Sequence, residues 1–237
     1  MTRSGVVIAI DGPSASGKSS TARAVAERLG FAHLDSGALY RGVTLVALRE
    51  LARQGRAPGE DQFADGAEAV LRAAEERGLV LHPDGPGFAA YLEGEPADEA
   101  IRSPEVTRYV SRVSADAQVR EWVNAHLREL VRAGRDVVVD GRDIGTVVFP
   151  DADLKVFLTA SAEVRARRRV LQRNEGDTEA AVERETALLA ARDQADSSRA
   201  VAPLRRADDA RLLDTSGLSF AEQVARIVGW AREVLGA

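Results

Sequence analysis

The chain has 237 residues, 45% of them hydrophobic and 29% charged, with a formal net charge of −5. That balance suits a soluble globular protein, either one sizeable domain or a core with an insertion, and supplies no overall basic field for bulk nucleic-acid binding. Without cysteine there are no disulfides, thiolate ligands or cysteine nucleophiles, and the apolar run Val6–Ile10 is shorter than the roughly 7 residues of a secretory core or the roughly 20 of a membrane span. A cytoplasmic monomer that engages neither membrane nor nucleic acid is expected.

Val6–Ile10 reads as a buried parallel strand, being apolar throughout. Directly after it, GPSASGKS at 12–19 fits G-x-x-x-x-G-K-[ST] through Gly12, Gly17, Lys18 and Ser19. The glycines let successive backbone N–H groups turn inward onto phosphate oxygens, and the helix that follows adds its positive end. Of the 32 basic residues only Lys18 and Lys155 are lysine. At Lys18 a compact ammonium on a flexible stem reaches the β- and γ-phosphates, where a planar guanidinium fits poorly. Ser19 offers a hydroxyl to Mg²⁺. Gly12, Pro13, Ser14, Ala15, Ser16, Gly17, Lys18, Ser19 and Ser20 are therefore the expected ATP side, together with Arg167 from further along.

The helix Lys18–Leu29 should end at Gly30, and Phe31–Asp35 is a weaker second strand. From Gly55 to Pro104 the composition changes: five of the eight prolines fall there, and LVLHPDGPGFAAYLEG reads as a hairpin. Residues 61–104 are taken as an inserted domain, with 1–60 and 105–237 as the core and a lid at about 160–200. Three further strands are expected at Asp136–Asp140, Leu154–Leu158 and Arg211–Asp214, and Phe220 to Leu235 carries a helical apolar repeat. The fold class is α/β: a P-loop-type parallel sheet of five strands flanked by helices.

A kinase must hold a second polyanion against the γ-phosphate, so arginines should converge from several places. Arg41 follows the second strand and Arg142 the third, where open α/β sheets bind ligands. Arg165, Arg167, Arg168 and Arg169 crowd one helix start, a pattern that an ordinary solvated face or a small nucleic-acid patch would also give. Arg192 and Arg199, beside Asp193 and Asp196, could equally form surface ion pairs. His33, His82 and His126 stand in no nucleophile or metal constellation and read as structural. A phosphate acceptor needs no base, since its second pKa of about 6 leaves it mostly ionised.

A GTPase is disfavoured: Asp214–Gly217 fits D-x-x-G, but neither Asn124 nor Asn174 is followed by the lysine of N-K-x-D. Two other readings stay open. One is a kinase for UMP, dTMP or a metabolite hydroxyl, with Asp35 or Asp143 as base. The other is a non-enzymatic ATP-binding module that uses the Arg165–Arg169 cluster on nucleic acid.

In IAIDGPSASGKSS, LDSGALYR, DGRDIGTVVFPDADLKVFLTAS, RARRR, RDQADSSRAVAPL and DDARLLDTS, in that order, the chain resembles the bacterial cytidylate kinases over nearly its whole length. The resemblance implies a nucleoside monophosphate kinase fold and transfer of the ATP γ-phosphate to CMP or dCMP. By resemblance, Ser36, Arg41 and Arg142 meet the monophosphate, and Ser111, Arg120 and Asp143 surround cytosine. Arg192, Asp196 and Arg199 would reach sugar and phosphates from the lid. Lys18, Arg142, Arg192 and Arg199 are the expected catalytic set, and Ser19 the metal ligand. An Asp143 carboxylate would favour the cytosine 4-amino donor over the uracil acceptor. Some relatives carry lid arginines where this chain has Ala195 and Ser197, which leaves fewer charges there and a lid closure and phosphate grip expected to differ from theirs.

Overall fold

The computed structural model describes residues 5–59, 66–174 and 176–236. These fall into two compact units: Met1–Leu34 with Val131–Ala237, and Asp35–Leu130. The expected insertion at 61–104 lies within the second unit, and its first residues, 61–65, lie outside the described ones.

The first unit opens with β1 (Val7–Asp11), α1 (Lys18–Leu29) and the start of β2 (Ala32–Asp35). The second contains α2 (Ser36–Arg53), α3 (Ala67–Glu76), β3 (Val80–Asp84), β4 (Gly87–Leu92), β5 (Glu95–Pro96), α4 (Pro104–Val113) and most of α5 (Ala117–Arg132). The chain then returns to the first unit for β6 (Val137–Gly141), β7 (Leu154–Thr159), α6 (Ala162–Gln172), α7 (Glu179–Ser197), β8 (Arg211–Asp214) and α8 (Phe220–Leu235).

In the first unit the strand order is β2-β6-β1-β7-β8. The β1–β6, β1–β7 and β7–β8 pairs are parallel, with Ile8 opposite both Val138 and Leu154. Alternation decides which side chains meet the helices. Ile8, Ile10, Leu154, Val156 and Leu158 pack with Ala22, Val25 and Ala26 of α1 and with Val224, Ile227 and Val228 of α8. Each such aliphatic side chain contributes about 1.5–3 kcal/mol by leaving water. Lys155, one step out of phase, points to the opposite face, where its ammonium reaches both oxygens of Asp209 at 2.7 and 3.0 Å. Helix α8 is closed at its start by a reciprocal cap: Ser219 N donates to Glu222 at 2.8 Å and Glu222 N to Ser219 Oγ at 3.3 Å.

Within the second unit, β3 and β4 form the expected antiparallel hairpin, with Val80 opposite Tyr91, and β5 adds to β4. Asp35 caps α2 through Gly37 N at 2.9 Å. Arg77 is held between Glu50 and Glu93. Among the described residues no helix is long and apolar enough to cross a membrane.

Candidate active site

The phosphate-binding motif is a turn between a buried strand and a helix. At Gly12 any Cβ would stand 2.1 Å from the Leu158 carbonyl oxygen of β7, so only glycine lets the loop leave the sheet there. Gly17 sits at φ 88°, the left-handed conformation that starts α1. Lys18 is buried, and its ammonium donates to the Pro13 carbonyl at 3.1 Å. Burial first, then the charge of Arg142, lower the Lys18 ammonium to about 7, with Arg192 adding to this while Asp140 and Asp196 oppose it. Several cations share this corner, and an incoming polyanion would relieve their repulsion.

Carboxylates at two strand ends arrange the floor. Asp11 closes β1 and accepts from Ile144 N and Gly145 N, both at 2.8 Å, which pins the π-helical turn 144–148 beneath the loop. Burial raises its carboxyl to about 6, against the lowering effect of those two bonds. Asp140, near the end of β6, accepts Ser19 Oγ at 2.5 Å and lies 2.8 Å from His33 Nε2. Burial pushes Asp140 up, but His33, Ser19 and Lys18 outweigh it, and the carboxyl stays below its usual range.

Arginines just after β6, on α7 and just after α7 close the surround. Arg142 donates from Nε to Asp196 and from Nη2 to Ser14 Oγ, both at 2.9 Å. Arg199 donates to the Asp196 carbonyl at 3.2 Å and to Ala202 O at 3.1 Å, and approaches the Asp196 carboxylate at 3.8 Å. Arg192 is half-buried on α7 and acts on Lys18 by charge. The structure thus brings Lys18, Arg142, Arg192, Asp196 and Arg199 together beside the loop, and Asp143 is buried directly after Arg142. Ser19 and Ser20 are exposed at the start of α1.

The arginine cluster on α6 divides by helical phase. Arg165 is buried and donates to Ala160 O, Ser14 O and Asp193, so it braces the loop from behind. Arg168 donates to Ser16 O at 3.3 Å and to Thr215 O at 2.9 Å. Arg167 faces outward onto Glu163, Asp177 and Glu179. The solvated-face reading therefore fits Arg167 and fails for Arg165 and Arg168. A nucleic-acid patch loses three of its four cations, since two are spent on the loop and one is neutralised by three carboxylates, while Arg169 donates to Gln172 at 3.0 Å. Asp193, expected in a surface pair with its arginine neighbours, pairs with Arg165 instead.

Sequence reasoning passed over Asp11 and Asp140, and it gave Arg165, Arg168 and Asp193 no part in holding the loop. Asp11 and Asp140 carried a signal, each being a carboxylate attached to an otherwise apolar strand. The partners of Arg165 lie up to 151 residues away, and nothing local marks them.

Ser36, Arg41, Ser111 and Arg120 belong to the second unit. Ser36 is buried at the first position of α2. Arg41 donates to Ile101 O at 3.3 Å and Thr107 Oγ1 at 3.0 Å. Arg120 is buried, donates to Ser114 O at 2.9 Å and lies 5.3 Å from the centre of the Tyr40 ring. The Ser111 carbonyl accepts Ser114 Oγ at 3.1 Å.

A hydroxyl oxygen suits a hard cation, and at Ser19 the hydroxyl proton is already directed to Asp140, which leaves its lone pairs to a metal. Among the described residues no group of three or more His, Asp or Glu could hold a metal by itself. An ion carried in on nucleotide phosphates fits this donor set.

Residues 8–233 match the cytidylate kinase family model. The chain is 45% identical to the cytidylate kinase of Rhodococcus jostii, over all of this chain and 99% of that one. It is 43% identical to that of Chloroherpeton thalassium (97% and 94% covered) and 42% identical to that of Geobacter sulfurreducens (98% and 94% covered).

Proposed function

The chain belongs to the cytidylate kinase family, and from that premise we propose how its residues carry the γ-phosphate of ATP to CMP or dCMP, giving ADP and CDP or dCDP. The observation that carries the reading is the gathering of Lys18, Arg142, Arg192 and Arg199 at one phosphate-binding turn. Four cations beside a cradle of N–H groups exceed what one triphosphate requires, and they suit two polyanions brought head to head.

The backbone of Gly12–Ser19 and the Lys18 ammonium hold the β- and γ-phosphates. An oxygen of the CMP phosphate attacks the γ-phosphorus, and the bond to the β–γ bridging oxygen breaks, leaving ADP. The acceptor is ionised near neutral pH, so no side chain need take a proton. Arg142, Arg192 and Arg199 offset the charge as it moves between the two nucleotides. Mg²⁺, held by the Ser19 hydroxyl together with ATP, would supply further charge neutralisation on the phosphate oxygens.

Asp143 accepts from the cytosine 4-amino group and repels the uracil carbonyl at that position. Asp196 binds a ribose hydroxyl, a contact that a 2′-deoxy sugar need not lose entirely. The assignment of Ser36, Arg41, Ser111 and Arg120 to the monophosphate and its base is supported by the family resemblance alone. A cytoplasmic place of work belongs to the same proposal, since ATP and CMP are intracellular metabolites.

The test is ADP release from ATP and Mg²⁺ with CMP, dCMP, UMP, AMP, GMP and dTMP offered in parallel. Fast turnover with CMP and dCMP, slow turnover with UMP and none with the rest supports the reading. Equal rates with UMP and CMP would remove the role given to Asp143.

A further inference from the structure

His33 is buried in β2 with its Nε2 2.8 Å from Asp140 Oδ1, and the second oxygen of that carboxylate accepts Ser19 Oγ at 2.5 Å. One chain of contacts thus runs from β2 through β6 to the residue that follows Lys18. A carboxylate in its ordinary ionised form only accepts. Nε2 of His33 therefore carries a hydrogen, and so does Ser19 Oγ.

Each bond constrains the next. A serine hydroxyl rotates freely unless an acceptor claims its hydrogen, and Asp140 claims it here. With that hydrogen directed back into the protein, both lone pairs of Oγ face away from Asp140. A carboxylate can perform this task only if its own plane is fixed, and Asp140 is 2% exposed with little solvent to orient it. His33 holds the other oxygen at 2.8 Å. A side chain needed only to fill space between strands could be apolar, which would avoid desolvating a ring nitrogen.

We propose that His33 is a positioning residue for metal–nucleotide binding: by holding Asp140 Oδ1 it fixes the carboxylate that aims the Ser19 hydroxyl at the Mg²⁺ of Mg-ATP. This rests on the reading of Ser19 as a magnesium ligand. His33 touches neither nucleotide nor metal and acts through Asp140. The arrangement is a second layer behind a metal ligand, of the kind that orients first-layer groups in metal sites generally.

The experiment is calorimetric titration of the whole chain with ATP, once in EDTA and once in Mg²⁺. The ratio of the two affinities is the gain that the metal confers. It is measured for the wild type, His33→Gln, His33→Met, Ser19→Ala and the His33→Met, Ser19→Ala double variant. Glutamine keeps an N–H donor at about the reach of Nε2, while methionine has nearly the same length and no donor.

His33→Met should cut the metal gain about tenfold with binding in EDTA unchanged, while His33→Gln keeps the gain within about twofold, in line with the usual cost of losing an outer partner of a metal ligand. In the Ser19→Ala background His33→Met should have no further effect. A full metal gain in His33→Met overturns the proposal. So does an equal loss in both His33 variants, or a parallel fall of affinity in EDTA, since either marks a general packing role. If His33→Met does not fold, His33→Asn, whose amide is too short to reach Oδ1, replaces it with the same expectation. An undiminished gain in Ser19→Ala would instead remove the Ser19 reading itself, so the two failures are distinguishable.

Discussion

Arg165 and Asp193 meet at 2.5 Å and together grip both backbone polar groups of a single loop residue: Asp193 accepts Ser14 N at 3.1 Å, and Arg165 donates to Ser14 O at 2.9 Å. One partner comes from α6 and the other from α7, so two helices fix the backbone of the phosphate loop where it turns. Both side chains are largely shielded from water, which makes removing one partner more costly than breaking a surface bridge.

Asp193→Asn should therefore loosen the loop without touching the acceptor side. The KM for ATP is expected to rise about tenfold, the scale of one hydrogen bond to a charged group, with the KM for CMP little changed. Steady-state kinetics with each substrate varied in turn will check this. Combining the change with Arg165→Met should cost about 1–2 kcal/mol less than the sum of the single effects, because the pair acts as a unit.

Lys18→Met should lower kcat by about 10²–10³-fold while the fold survives, as loss of one preorganised cationic donor does elsewhere. Lys18→Arg should not restore turnover. The ammonium occupies a buried site against the Pro13 carbonyl, where a planar fork neither fits nor shares the geometry. Single-turnover rates alongside a thermal melt separate lost chemistry from lost folding.

Asp143→Asn replaces an acceptor by a group able to donate. The ratio of kcat/KM for CMP over UMP is expected to fall by about 10–100-fold, the equivalent of leaving one buried polar group wrongly paired. The KM for ATP should hold. An unchanged ratio would show that another residue reads the base.

Asp11 makes a pH prediction whose sign follows from its surroundings. Its carboxyl, raised to about 6 by burial, keeps a proton in the folded chain that the unfolded chain has already released. Folding stability attributable to this group is thus greatest in acid, declines as pH rises from the ordinary carboxylate range through 6, and is level above that. Relative to Asp11→Asn, the wild type should lose about 2.4 kcal/mol between pH 4 and pH 7. Denaturant unfolding of both proteins across that interval tests it.

Much of this architecture could be read from local pattern. The strands were legible as short β-branched runs, and the main discrepancies are one-residue slides of β1 from Val6–Ile10 to Val7–Asp11 and of β6 from Asp136–Asp140 to Val137–Gly141. Pairing decides that end: Asp11 stays in register with Gly141, although apolarity stops at Ile10. The bounds of α1 match because Gly17 and Gly30 both adopt left-handed backbone at its ends. The arginine cluster was not legible in this way. Five consecutive positions on a helix point in different directions, and which of them turns inward depends on where the helix docks.

By itself the sequence determined the phosphate loop, the parallel-strand framework and the family. Those depend on contiguous residues whose backbone preferences and spacing act locally: Gly12 and Gly17 shape the turn, and Lys18 and Ser19 follow at once. Only the tertiary structure decided which charges serve that loop. Ser19 and Asp140 are 121 residues apart, His33 and Asp140 are 107, and Arg165 and Ser14 are 151. Such partnerships arise from which strand lies beside which, and from the rotation at which a helix settles on the sheet. A hydrogen bond needs its atoms placed within a few tenths of an ångström, and the order of residues along a chain does not specify position that finely.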